Sequence, residues 1–365
     1  MSYSKVSLSI AALALAAAAV FATGTAHAAD FAGKTVTFVV PFKEGSSTDR
    51  YARVFSIFLK KYLPGNPTII LNHRPGGSGV KAANWFDASV KPDGLTVLAV
   101  STSSHTSFVF GGKKIKYNEL AWRPIVLSPS GTCFYARTET GVTGKDAAAD
   151  IKKLQKGKWV VSGKNPTSSE IRTFLAFDLL GIKNITPVFG LSTGGRRKAV
   201  ARGEVHLGND AAGACLKQTA RLEKKGVLKV FMTLGFVTPD GSIVRDPVFP
   251  DTYTVLDAYK AVYGKDPSGP AWRMLKHLIN IAVMTSKSLV LPKGTSDDIV
   301  DTYIAAVKKA LKDPEFRKAT KGQFEQYPQS FGADAAKVYK EAVDINPETK
   351  AWMQKWLSKQ FNVNL

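Results

Sequence analysis

An α/β protein of two lobes around a single cleft is what this sequence predicts, and three observations carry that prediction. Short apolar strands alternate with helical patterns over most of the 365-residue chain, the signature of largely parallel sheets covered by helices. A strand, a loop of Gly, Ser, Thr or Asn, and a helix recur four times, in both sequence halves. Ligands of open α/β sheets lie beyond the carboxyl ends of the strands, so loops of this kind in two halves imply one shared cleft. Each loop alone is weak, because caps and turns favour the same residues.

Residues 1–28 read as a secretory signal: Lys5 at the charged start, an apolar run from Val6 to Phe21, and the small-x-small site Ala26-His27-Ala28. The run is short and Ala-rich for a membrane span, which needs about 20 strongly apolar residues. The expectation is a soluble, exported protein, with an uncleaved anchor as the alternative.

The first unit opens with Thr35-Val36-Thr37-Phe38-Val39-Val40, an apolar run that reads as a buried strand. It passes through Pro41-Phe42-Lys43-Glu44 into Gly45-Ser46-Ser47-Thr48-Asp49, then into an amphipathic helix with Tyr51, Val54, Phe55 and Phe58 on one side. A turn of this kind aims backbone N–H groups at one spot, and the helix dipole makes that spot attractive to a carboxylate or phosphate. Asp49 is expected to cap or brace the loop rather than touch the anion. A strand at 68–71, the turn-rich stretch 72–79, a helix over 80–89 and the turn Pro92-Asp93-Gly94 follow. The strand 95–100 then empties into Ser101-Thr102-Ser103-Ser104, a hydroxyl-rich loop.

The second lobe begins near 125–129. A strand at 158–162 ends in Gly163-Lys164-Asn165-Pro166-Thr167-Ser168-Ser169, and Ile171, Phe174, Leu175 and Leu179 continue at helical spacing. A strand at 185–189 meets Gly190-Leu191-Ser192-Thr193-Gly194-Gly195 and a helix with Arg196, Arg197 and Lys198 in its first turn. Cations oppose the helix dipole there, so Lys164, Arg196 and Arg197 are candidates to meet an anion, with surface ion pairs as the alternative. Val205-His206-Leu207 leads to Asn209-Asp210, and 228–234 is a further strand. The end is helical, over 296–311, 313–320, 334–343 and 348–359. Lobe 1 is expected to hold 30–127 and about 256–365, and lobe 2 about 128–255. The crossings fall near Ser128-Pro129 and after Phe249-Pro250.

The formal net charge is +21, and hydrophobic residues make up 44% of the chain, enough for normal cores. Such a charge favours anionic partners. Nucleic acid is not expected, since export argues against it and the basic residues stand singly or in pairs. The two cysteines, Cys133 and Cys215, allow one disulfide in an oxidising compartment, or two buried thiols. Isolated histidines give no zinc spacing, Gly76-Gly77-Ser78-Gly79 lacks a nucleotide-binding pattern, and no cofactor is expected. His73 and His105 sit near the expected cleft, where a polar or capping role outweighs ligand contact.

An enzyme alternative exists. Gly190-Leu191-Ser192-Thr193-Gly194 fits G-x-S-x-G between strand and helix, with His277 and Asp246 or Asp251 downstream to complete a triad. The motif is short and arises often by chance.

Across the mature chain, several pieces stand in a recognisable order. They are Val39-Val40-Pro41-Phe42 with Gly45 and Thr48-Asp49; Asn72 with Arg74-Pro75-Gly76 and Gly79; and Pro92-Asp93-Gly94. Gly203 with Val205 and Asp210, Pro292 with Gly294-Thr295, and Asp313-Pro314 complete the set. In these the chain resembles the periplasmic substrate-binding proteins of tripartite tricarboxylate transporters, the Bug family. The resemblance implies a type II-like periplasmic-binding-protein fold (a Venus flytrap with the ligand cleft between its lobes), a non-catalytic role and a periplasmic location. It implies a small organic acid as ligand (di- or tricarboxylate, amino acid or aromatic acid), gripped by the loop after the first strand and its second-lobe counterpart. It also implies integral-membrane transporter subunits as partners, and the protein itself is expected to be a monomer. Phe189-Gly190-Leu191 departs from the family's Tyr-Lys-Gly, Gly45-Ser46-Ser47 from its glycine run, and His206 from a common aspartate.

The expected ligand contacts are Phe42, Gly45, Ser46, Ser47, Thr48 and Asp49 from the first loop and the hydroxyls of Ser101, Thr102 and Ser103. From the second lobe come Lys164, Asn165, Thr167 and Ser168; Phe189, Gly190, Ser192, Thr193, Gly194, Gly195 and Arg196; and Asp210. A polyanion- or surface-binding module is the remaining alternative, and it would use the charge excess directly.

Overall fold

A computed structural model of the chain describes residues 29–238, 240–321 and 326–365. The expected signal, 1–28, lies outside them. Among the described residues no helix is long and apolar enough to cross a membrane.

Two five-stranded sheets organise the molecule. The first holds β1 (Thr35–Val40), β2 (Thr68–His73), β3 (Thr96–Ser101), β4 (Arg123–Ser128) and β12 (Lys287–Leu291), in the order β2-β1-β3-β12-β4. The second holds β5 (Thr132–Arg137), β6 (Trp159–Ser162), β7 (Ile185–Val188), β8 (Leu207–Ala211) and β9 (Leu228–Thr233), in the order β7-β6-β8-β5-β9. A two-stranded ribbon, β10 (Phe236–Val237) and β11 (Ile243–Val244), stands apart. β2-β1-β3 and β7-β6-β8 run parallel, whereas β12 and β5 enter antiparallel. The two lobes thus share one plan, joined by crossings at 129–131 and 285–286.

β1 shows why the parallel strands read as continuous apolar runs. Val36, Phe38 and Val40 face one core with α1 (Ser47–Tyr62), while Val39 faces another with Phe86, Leu98 and Trp122. A strand covered by helices on both sides needs apolar residues at every position. On α1, Tyr51, Phe55 and Phe58 are buried, and Phe316 meets Phe55 and Phe58 edge to face. α2 (Val80–Ser89) covers the other face.

Two expectations change. Residues 101–104 form the N-cap and first turn of α3 (Thr102–Phe110), with Ser101 to Ser107 all buried. Packing overrides the preference of Ser and Thr for loops. The segment 256–277, expected with lobe 1, packs on lobe 2. α4 (Ala147–Lys156), α5 (Ile171–Leu179) and α6 (Thr193–Arg202) belong to that lobe; α7 (Val255–Tyr263) lies on α4 and α8 (Gly269–Ile279) on α5. The chain therefore returns to lobe 1 at β12, not after Phe249-Pro250.

Of the last helices, α9 (Asp297–Lys312) packs on α1, with α10 (Pro314–Thr320) beside it. α11 (Gly332–Val343) lies on β4, and α12 (Pro347–Phe361) touches both lobes. Gln354 donates to the Phe110 carbonyl at 2.9 Å, and Trp356 donates to Asp178 at 3.1 Å.

Candidate functional site

A cavity of about 540 Å³ lies where the strand ends of the two sheets face each other. Phe42, Gly45, Ser46, Ser47 and Thr48 line it from lobe 1, with Ser101, Thr102 and Ser103. Lys164, Ser192, Thr193, Gly194, Arg196 and Asp210 line it from lobe 2.

The two principal loops are built alike. Ser46, with φ −68° and ψ 164°, caps α1 and accepts from the Asp49 N–H at 3.1 Å. Ser192, with φ −64° and ψ 163°, caps α6 and accepts from the Gly195 N–H at 3.2 Å. A helix leaves its first four N–H groups without partners inside the helix, and an N-cap satisfies one of them. The Gly45 N–H goes to the Asp49 carboxylate at 3.0 Å, and the Gly190 N–H to the Lys164 carbonyl at 3.0 Å. Among the described residues the N–H groups of Ser47, Thr48, Thr193 and Gly194 meet no hydrogen-bond partner within the protein.

Several expected contacts do other work. Asp49 faces its own loop, where His73 Nε2 at 2.8 Å and Arg53 at 3.0 Å join Gly45 around it. Burial would raise its carboxyl, but these hydrogen bonds and the Arg53 charge hold it below its ordinary value. Asn165 donates to Ser78 Oγ across the lobes at 2.7 Å and accepts from the Thr167 N–H at 3.0 Å. Ser168 donates to Glu170 at 2.7 Å. Phe189 packs between Phe174 and Phe361, and Gly190 and Gly195 lie outside the cavity lining.

The loop 163–170 also brings the lobes into contact. Lys164 Nζ donates to Ser103 Oγ at 2.8 Å, Ser103 to Ser169 Oγ at 3.1 Å, and Ser169 to Glu170 at 3.1 Å. Glu170 is buried, with Arg196 at 3.1 Å and Lys164 at 3.4 Å. Burial would raise this carboxyl too, but the two cations hold it well below the usual carboxylate range. Beside it Arg197 pairs with Asp210 at 2.8 Å, and Thr219 donates to Asp210 at 2.7 Å.

Sequence reading missed Lys43, Glu44, Arg50, Arg172, Asn209 and Lys287, all in the lining, and treated Glu170 only as a helix start. Seven basic side chains line the cavity against three acidic ones. Arg50 and Arg172 lie on helices just past the loops, where spacing from the strand end could have found them. Lys287 starts a strand that arrives from far along the chain, and no local pattern marks it.

The triad alternative gains nothing from the geometry. His277 lies against the backbone of α11 at Glu341, Asp246 accepts from Tyr327 at 2.8 Å, and neither lines the cavity with Ser192. Among the described residues no group of three His, Cys, Asp or Glu could hold a metal ion. His105 is fully buried on α3 and bonds Glu119 at 2.8 Å. Cys133 and Cys215 form a disulfide, Cα to Cα 6.5 Å, which ties β5 to the π-helical turn Cys215–Thr219.

Two α/β lobes of one strand plan, sharing a cavity at their strand ends, define a two-lobed binding-protein fold. Solved structures carry the same fold. MatC from Rhodopseudomonas palustris with bound malate is 21% identical, with 88% of this chain and 98% of that one covered and a TM-score of 0.59. Rpa4515 of R. palustris with adipate is 19% identical over 90% and 98%, TM-score 0.64. The periplasmic binding protein BugD is 18% identical over 88% and 97%, TM-score 0.62. At these identities the likeness establishes the fold. No family model and no curated protein matches the sequence.

Proposed function

We propose that this protein is an extracytoplasmic solute-binding protein that captures a small organic acid between its lobes and delivers it to a membrane transporter. One observation carries the reading: two capped helix N-termini, one per lobe, line a single cavity whose walls carry an excess of positive charge. Free first-turn N–H groups and the helix dipole both favour a carboxylate there. The malate and adipate in two proteins of the same fold support an acid as the ligand class.

One carboxylate docks on the N–H groups of Ser47, Thr48, Thr193 and Gly194, and the hydroxyls of Ser101–Ser103 read the remainder. Contact with both lobes at once means the acid binds the closed arrangement more tightly, which is what drives closure. The closed form then docks as a monomer on integral-membrane subunits in the periplasm, without chemical change to the acid.

A thermal-shift screen over small organic acids tests this. An acid at 100 times its Kd should stabilise the fold by about 2.7 kcal/mol and raise Tm by several degrees. A panel of mono-, di- and tricarboxylates that leaves Tm unmoved would refute the proposal. Ester hydrolysis abolished by Ser192→Ala would put an enzyme in its place.

A further inference from the structure

Positive charge also gathers outside the cavity. On lobe 2, α6 and the helical run 212–224 wall a groove of about 650 Å³. Arg197, Lys198, Arg221, Lys224 and Lys225 line it, and among the described residues its lining holds no acidic and no aromatic side chain. Arg197 pairs with Asp210 at 2.8 Å. Lys198, Arg221, Lys224 and Lys225 are exposed, and among the described residues none of them meets a carboxylate.

The neighbouring sequence leaves this charge uncompensated. α6 (TGGRRKAVAR) carries four cations and no carboxylate. Glu223, the acidic residue of the run 212–224, is held by β9, with Lys229 at 2.8 Å and the Val230 N–H at 3.4 Å. Between the basic heads the lining is apolar, with Ala201 and Leu222 in it. A basic rim over an apolar floor fits a lipid interface. There the cationic heads meet phosphates, while their stems and Leu222 reach toward the acyl boundary. Single-stranded nucleic acid is held by aromatic platforms, which this lining lacks.

We propose that the groove is a docking face for anionic phospholipid headgroups, so that the protein collects on an acidic membrane surface. Gly194 and Arg197 belong to the linings of both groove and cavity, so lipid on this face sets the edge of the cleft against the bilayer. The inference goes beyond solute binding and needs no bound acid.

Cosedimentation of the purified protein with vesicles tests it. Vesicles of phosphatidylcholine with about one third phosphatidylglycerol should bind it at about 50 mM salt, and phosphatidylcholine alone at least about tenfold less. Each Lys or Arg close to an anionic surface contributes about fivefold. Arg221→Gln, Lys224→Gln and Lys225→Gln together should therefore weaken binding about a hundredfold. Lys113→Gln, Lys114→Gln and Lys116→Gln remove the same charge from an exposed stretch of lobe 1 and should cost less than about threefold. Both variants should keep the wild-type Tm, as exposed substitutions do. An equal loss in the two variants would assign binding to net charge and overturn the groove. Equal binding to both kinds of vesicle, or retention on heparin without binding to anionic vesicles, would overturn the lipid partner. The acid screen reads the other site: a wild type without a thermal shift removes solute binding, while the vesicle result stands on its own.

Discussion

Burial, with the charges of Lys164, Arg172 and Arg50 added, brings the Lys287 ammonium down from 10.5 to about 7. A lysine with a lowered folded value binds fewer protons folded than unfolded between the two pKa values. Its cost to stability is therefore full below about pH 7 and fades as pH rises toward 10.5. An anion beside it reverses the shift, so acid binding should take up on the order of one proton at pH 8 and almost none at pH 6. Titration in two buffers of different ionisation enthalpy reads this directly, and Lys287→Met should abolish it. Asp49 has the opposite sign: its lowered carboxyl adds stability above its unfolded value of 3.8, fading as pH falls toward the folded one. Asp49→Asn leaves the Gly45 loop without its brace and should cost about 1–3 kcal/mol by chemical denaturation at pH 7.

Helix ends are the elements on which the account turns. Pro at the first helical position removes an N–H while keeping helical φ, and Ser46 and Ser192 already have the extended ψ that a following proline requires. Ser47→Pro and Thr193→Pro should each weaken acid binding about tenfold with Tm nearly unchanged, whereas Ser47→Ala and Thr193→Val control for the hydroxyls. The disulfide closes a loop with a sequence separation of 82 and holds the run that follows β8. Opening it with Cys133→Ser and Cys215→Ser together should cost roughly 2–4 kcal/mol in reversible unfolding.

These loops were legible because strand, turn and N-cap are local chemistry: Thr35 to Val40 needs no distant partner to be read as a buried strand. The Ser101–Ser104 stretch was not, since its helix exists by burial between the lobes. Lys287 was invisible for the same reason in another form. Its neighbours Arg50, Lys164 and Arg172 are brought to it by two crossings of the chain, and no sequence period encodes such a meeting.

At the scale of the whole molecule, the surplus charge has two outlets. Besides the cavity, Arg197, Lys198, Arg221, Lys224 and Lys225 line a basic groove of about 650 Å³ on lobe 2. A polyanion lying along that groove would release many counterions, and its affinity would fall by orders of magnitude between 50 and 200 mM salt. A small acid in the cleft should lose only a few-fold over the same range, which titration at the two salt concentrations measures. The point at which the chain returns to lobe 1 was not legible, because α7 and α8 choose lobe 2 through packing on α4 and α5. α12, with Phe361 set against Phe174 and Phe189, couples the lobes through contacts that only the folded chain provides.

A crystal structure of the complex with the tightest acid from the thermal screen tests the central claim most directly. The account predicts a carboxylate within hydrogen-bond reach of an N–H from both Ser47–Thr48 and Thr193–Gly194. An acid held by one lobe alone, or seated in the basic groove, would contradict it.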